Sequence, residues 1–260
     1  KSVINVYVEN SGSMDGYVQG STSFKQATYN YLSYINTSEL FDEMNLFYIN
    51  SERISFDSAV DDSRVSDFVE KLNPTTFKER GGDRGSSDIA VIIDSVLKNA
   101  ADSTVSILVS DMLFSHGGKN AQNFLVNQQV GIRGRFVPYL KNHPNMAVIL
   151  YRLKSEFVGT FYNSDDTKVT FTKSENVIRP YYLLVVGNKE KLKEMRDRFE
   201  VKLAELTPID EVCCFERGVG NLKCSPIPSS SYDLPRMRGN NSNEMPSVSN
   251  FKESRGHSGC

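Results

Sequence analysis

Five short, largely apolar runs recur along the chain: Val3–Val8, Met44–Ile49, Thr104–Val109, Met146–Leu153 and Tyr181–Val186. They are rich in β-branched residues and show little polar alternation, which is the pattern of strands buried on both faces. Between them lie stretches with apolar residues at helical spacing: Phe24 to Ile35, Asp61 to Leu72, Ile89 to Ala100 and Lys189 to Leu203. A further helix is expected from about Ala121 toward Leu140, weakened by Gly131 and Gly134. Strands alternating with helices predict an α/β fold: Rossmann-like, doubly wound, a mostly parallel sheet with helices on both faces. A short alternating piece, Arg53–Phe56, is expected beside the second strand. Pro74 is expected to open a loop, Lys78–Asp88, before the helix at Ile89. Phe157–Tyr162 and Lys168–Thr172 flank an N-S-D-D turn and read as a β-hairpin inserted at about 154–173.

This plan spans residues 1–205, with 206–224 as a C-terminal extension to which no element is assigned. From Ser225 the chain becomes rich in Ser, Pro and Asn, so 225–260 is expected to be a tail or linker. The chain starts at Lys1 and ends in this polar stretch, an organisation compatible with an exported, lipid-anchored bacterial surface protein. An extracytoplasmic location is therefore expected over a cytoplasmic one. A net charge of -2 gives no basic field for nucleic acid, which is not expected as a partner. No run approaches the ~20 apolar residues of a membrane span. The four cysteines lack zinc-site spacing and read as ordinary thiols or one disulfide.

In parallel α/β sheets, ligand sites form beyond the carboxyl ends of the strands. The first run ends in Glu9, Ser11 and Ser13, and the third ends in Ser110-Asp111. Between them a glycine-rich loop brings Ser86, Ser87 and Asp88 to a helix start. Carboxylates mixed with hydroxyls suit a hard divalent cation, Mg²⁺ first, with Mn²⁺ or Ca²⁺ as alternatives. Serine oxygens coordinate without adding charge, so such a cation keeps an open position for an outside carboxylate.

These stretches resemble the von Willebrand factor A-like (integrin I-domain-like) family. Glu9-Asn10-Ser11-Gly12-Ser13 is similar to the D-x-S-x-S of its metal-ion-dependent adhesion site, as a variant E-x-S-x-S. G-S-S-D-I-A, from Gly85 to Ala90, resembles the family's G-G-T-D-I-A, with Ser87 for Thr; Ile107–Asp111 resembles its V-L-V-S-D. The resemblance covers roughly Val3 to Leu203. It implies an adhesion-type metal site with Glu9, Ser11, Ser13, Ser87 and Asp111 as ligands, and a protein partner that offers an acidic residue. Glu9 is one methylene longer than the family's Asp, so its carboxylate reaches further and shifts the cation or calls for a bridging water. Asp15, Ser86, Asp88 and His116 stand next to these ligands, although Asp88 equally suits a helix start.

A non-enzymatic binding module is thus expected. A scaffold of the same fold with a degenerate, metal-free site is the first alternative. A serine or metal-dependent hydrolase is the second, although the only late histidine, His257, follows Arg and Gly in the tail. Arg80, Arg84, Arg133 and Arg135 read as a solvated surface.

Overall fold

The computed structural model describes residues 1–57, 62–85, 88–113, 134–162, 167–205, 207 and 209–217. Among these described residues nine strands form in chain order: β1 (Val3–Glu9), β2 (Glu43–Ile49), β3 (Arg53–Asp57), β4 (Thr104–Ser110), β5 (Met146–Glu156), β6 (Gly159–Tyr162), β7 (Lys168–Phe171), β8 (Ile178–Asn188) and β9 (Glu211–Glu216). Seven of them make the central sheet, in the order β3-β2-β1-β4-β8-β5-β9, and β6 pairs with β7 alone. The helices are α1 (Asp15–Val18), α2 (Ser23–Thr37), α3 (Asp62–Glu70), α4 (Pro74–Glu79), α5 (Ile89–Lys98), α6 (described over 134–142) and α7 (Lys189–Ala204).

The expected α/β class is present, with helices on both faces. Alternation along each strand divides the core into two layers. Ile4, Val6 and Val8 face α2, α3 and α7 through Leu32, Phe68 and Phe199. Tyr7 and Leu108 face the opposite layer, against Ile92, Ile93 and Val96 of α5. Among the described residues no helix is long and apolar enough to cross a membrane.

The sheet is mixed. β1 runs parallel to β2 and to β4, whereas β3, β8 and β9 run antiparallel to their neighbours. A doubly wound sheet in the order 3-2-1-4-5 would set β5 beside β4. Here β8 lies between them, paired to β4 from Ser106↔Val186 to Ser110↔Tyr182 and to β5 from Met146↔Asn188 to Glu156↔Ile178. The expected hairpin forms as β6 and β7. It is the tip of this longer β5–β8 excursion, since both long strands extend past their continuous apolar runs.

Two further differences have local causes. Pro74 does not open a loop: it occupies the first turn of α4, where its missing N–H costs nothing, and the Asn73 side chain caps the helix by accepting from the Thr76 N–H at 2.9 Å. Within the stretch left without an element, Glu211–Glu216 forms the edge strand β9 along β5. Ion pairs Lys154–Asp210 at 2.8 Å and Lys189–Glu216 at 3.1 Å fasten it. The tail from 225 lies outside the described residues.

The carboxyl end of β5 also starts α2. Ser23 donates its N–H to Glu156 Oε2 at 2.7 Å and its hydroxyl to both carboxylate oxygens, while Ser155 Oγ accepts from the Phe24 N–H at 2.9 Å. Burial pushes the Glu156 carboxyl up, but the Ser23 donors outweigh it and hold the group below its ordinary value. A depressed carboxylate stabilises the fold above its unfolded pKa, and the contribution disappears as the pH falls through the lower folded value. Glu156→Gln is therefore expected to lower stability by about 1 kcal/mol at neutral pH, after discounting for partial exposure. In denaturant titrations the difference from the unmutated protein should close as the pH drops below 4.5, the unfolded value.

Candidate metal centre at the strand ends

β1 and β4 lie side by side, so the parallel register from Val3↔Thr104 to Val8↔Val109 brings Glu9 next to Ser110. The Ser110 hydroxyl donates to Glu9 Oε2, and its oxygen accepts from the Met112 N–H at 2.8 Å. Both residues are buried, Glu9 at 1% and Ser110 at 0% exposure. By alternation Glu9 follows Tyr7, and Ser110 follows Leu108, toward the α5 side of the sheet.

Beyond β1 the chain makes a tight 3₁₀ turn, Gly12–Met14, closed by the Met14 N–H donating to Ser11 O at 3.2 Å. The turn sets the Ser11 and Ser13 hydroxyls 3.0 Å apart. Asp111 leaves β4 on the opposite side from Ser110. Its Oδ1 accepts from the Leu113 N–H at 3.0 Å, across Met112, whose φ of 53° is costly for a non-glycine residue. Its Oδ2 is buried with no hydrogen-bond partner among the described residues. Burial pushes the Asp111 carboxyl up; the Leu113 N–H, the Ser13 hydroxyl and the Arg179 guanidinium act in the other direction.

A buried amide relay holds these loops. Asn10 accepts at Oδ1 from Asn50 Nδ2 at 2.9 Å, and Asn50 Nδ2 also donates to Gly81 O at 3.0 Å. Gly82, at φ +72°, approaches so closely that a Cβ would stand 2.1 Å from Asn50 Oδ1. Arg84 then reaches across the first loop. Its Nε donates to Asn10 O at 2.7 Å, a terminal nitrogen donates to Ser11 O at 3.3 Å and to Asp15 Oδ1, and Arg84 O accepts from the Gly12 N–H at 2.9 Å. On the other side the hairpin closes in. Val158 donates its N–H to Gly16 O at 3.0 Å, and the Phe157 ring lies where a Cβ on Gly16 would be, at 2.3 Å.

Of the residues singled out in sequence, the structure brings Ser11, Ser13 and Asp111 together, with Glu9 on the adjacent strand end. Asp15 lies beside them but is paired with Arg84, and burial pushes its carboxyl up against the pull of that guanidinium. The Asp88 carboxylate caps α5, accepting from the N–H groups of Ala90 at 3.0 Å and Val91 at 3.3 Å. Ser86, Ser87 and His116 lie outside the described residues. Asn10, Asn50 and Arg84 are not marked out by the sequence as parts of the site, and Ser110 is marked there only as a strand-end hydroxyl, not as a ligand. Arg84 is not the solvated residue expected, its side chain being only 15% exposed.

Among the described residues no group of three or more His, Cys, Asp or Glu side chains could hold a metal. A cation here would rely on hydroxyl oxygens. The donor set of two hydroxyls and a buried carboxylate oxygen without a partner among the described residues fits a hard cation such as Mg²⁺, Mn²⁺ or Ca²⁺. No protein-family model matches the chain, and no curated protein matches it.

Because one guanidinium satisfies three acceptors of the first loop, Arg84→Ala should destabilise the protein by about 2 kcal/mol in denaturant unfolding. Arg84→Lys should recover less than half of that, since an ammonium lacks the planar fork. A change for Arg84→Ala within about 0.5 kcal/mol, the range of ordinary surface substitutions, would remove Arg84 from this role.

Proposed function

We propose that this chain is a non-enzymatic binding module of the von Willebrand factor A-like kind, which recognises a protein partner through a divalent cation. The observation that carries the reading is the Asp111 carboxylate, 5% exposed, whose Oδ2 has no hydrogen-bond partner among the described residues and which lies near the Ser13 hydroxyl of the Ser11–Ser13 pair. The two serines and Asp111 would hold the ion, with Glu9 and Ser87 reaching it directly or through water. Where Glu9 reaches it through water, the single directly bound carboxylate leaves the ion with net positive charge. An acidic side chain of the partner would then complete the shell.

The arrangement gives little support to hydrolysis. Ser11 and Ser13 bond each other, and Ser110, the serine that faces a carboxylate, is fully buried and out of a substrate's reach. A second reading, the same fold acting as a metal-free scaffold, is favoured by one observation: the Glu9 carboxylate already accepts from Ser110.

Titration calorimetry with MgCl₂ and MnCl₂ separates the two. The unmutated protein should bind one ion, and the Ser11→Ala/Ser13→Ala double variant should lose that binding while melting within a few degrees of the parent. Absence of both binding heat and any cation-dependent rise in melting temperature in the unmutated protein would favour the scaffold.

A further inference from the structure

The excursion that places β8 beside β4 also carries a cation to the candidate site. Ser110 and Tyr182 are the last residues paired between these strands. Continued one step beyond that pair, the register would set Asp111 across from Tyr181, with Arg179 two residues further along β8 on the same side. Diagonal neighbours of this kind have Cβ atoms about 7 Å apart, within reach of a long side chain. The Arg179 guanidinium carbon lies 3.5 Å from the centroid of the Phe161 ring of β6, so the hairpin tip fixes its position. Its Nε is buried with no hydrogen-bond partner among the described residues, as is Asp111 Oδ2. Tyr17, whose hydroxyl donates to Pro180 O at 2.6 Å, senses both charges, and burial pushes that hydroxyl well above the ordinary tyrosine value, so it stays neutral. Two opposite charges, each with an unused polar atom among the described residues, therefore lie within electrostatic reach of each other without making a direct ion pair.

We propose that Arg179 is the built-in counter-ion of Asp111, and that any metal ion held by Ser11, Ser13 and Asp111 binds against its charge. This rests on the cation-site reading above. Arg179 then sets the threshold of the site: it neutralises Asp111 when no metal is bound and disfavours metal in proportion to the ion's charge. A residue that serves only to pack on Phe161 would show no dependence on ionic charge.

The test compares Mn²⁺, followed by calorimetry, with Tb³⁺, followed by tyrosine-sensitised emission, in the unmutated protein and in Arg179→Gln and Arg179→Lys. Coulomb repulsion scales with ionic charge, so the logarithmic gain for a trivalent ion should be half again that for a divalent one. Arg179→Gln should tighten Mn²⁺ on the order of tenfold and Tb³⁺ on the order of thirtyfold. Arg179→Lys, which keeps the charge, should stay near the parent for both ions. Unchanged or weakened binding by Arg179→Gln, in a variant that melts cooperatively, would overturn the counter-ion role and leave the cation site standing. Absence of binding by every variant would overturn the site itself, and this inference with it.

Discussion

The placement of β8 between β4 and β5 is the constraint on which the rest of the molecule depends. Antiparallel strands can be joined by a hairpin, whereas parallel neighbours need a long crossover. The chain takes the shorter course: β5 runs out, turns through β6 and β7, and returns as β8, with eleven residues in each long strand. That return pairs β8 with β4 up to Tyr182, brings Arg179 near Asp111, and lays Phe157 and Val158 over Gly16. One topological choice thus sets Phe157 and Val158 against the first loop and a positive charge, Arg179, near Asp111.

Buried polar groups are the second constraint. Glu9, Asn10, Ser11, Ser110 and Asp111 are all nearly or fully buried, and each would cost several kcal/mol if left unsatisfied. The structure satisfies them largely through each other: Ser110 with Glu9, Asn50 with Asn10, and Arg84 with the carbonyls of the first loop. What this network leaves over is Asp111 Oδ2, and a neighbour of opposite sign in Arg179. A fold that places so many hydrogen bonds on rigid strand ends and, among the described residues, leaves Asp111 Oδ2 without a hydrogen-bond partner is consistent with a preformed oxygen-ligand site.

Much of the fold was legible because its strongest signals are local. The buried runs of β1, β2 and β4 and the helical spacing of α2, α5 and α7 each need only neighbouring residues to be read. β9 escaped because Glu-Val-Cys-Cys-Phe-Glu is short and sits at the sheet edge, where burial is partial. The direction of β8 was less legible, since a buried run looks the same parallel or antiparallel. The clue was the lack of helical apolar spacing in the sequence between Leu153 and Tyr181. At the site, Ser11, Ser13 and Asp111 could be picked out because motif and strand end coincide. Arg84 and Arg179 could not, because each reaches the site residues from far away in sequence: 69 residues separate Arg84 from Asp15. Such pairings are set by register rather than by any local pattern.

The central claim is that Ser11, Ser13 and Asp111 act as one cation site. Anomalous diffraction from crystals soaked in Mn²⁺ addresses it most directly. A single anomalous peak bonded to Asp111 Oδ2 and to both serine hydroxyls is expected, at distances near 2.2 Å for a hard divalent ion. Well-ordered density for these three side chains with no anomalous peak among them, at saturating Mn²⁺, would contradict it.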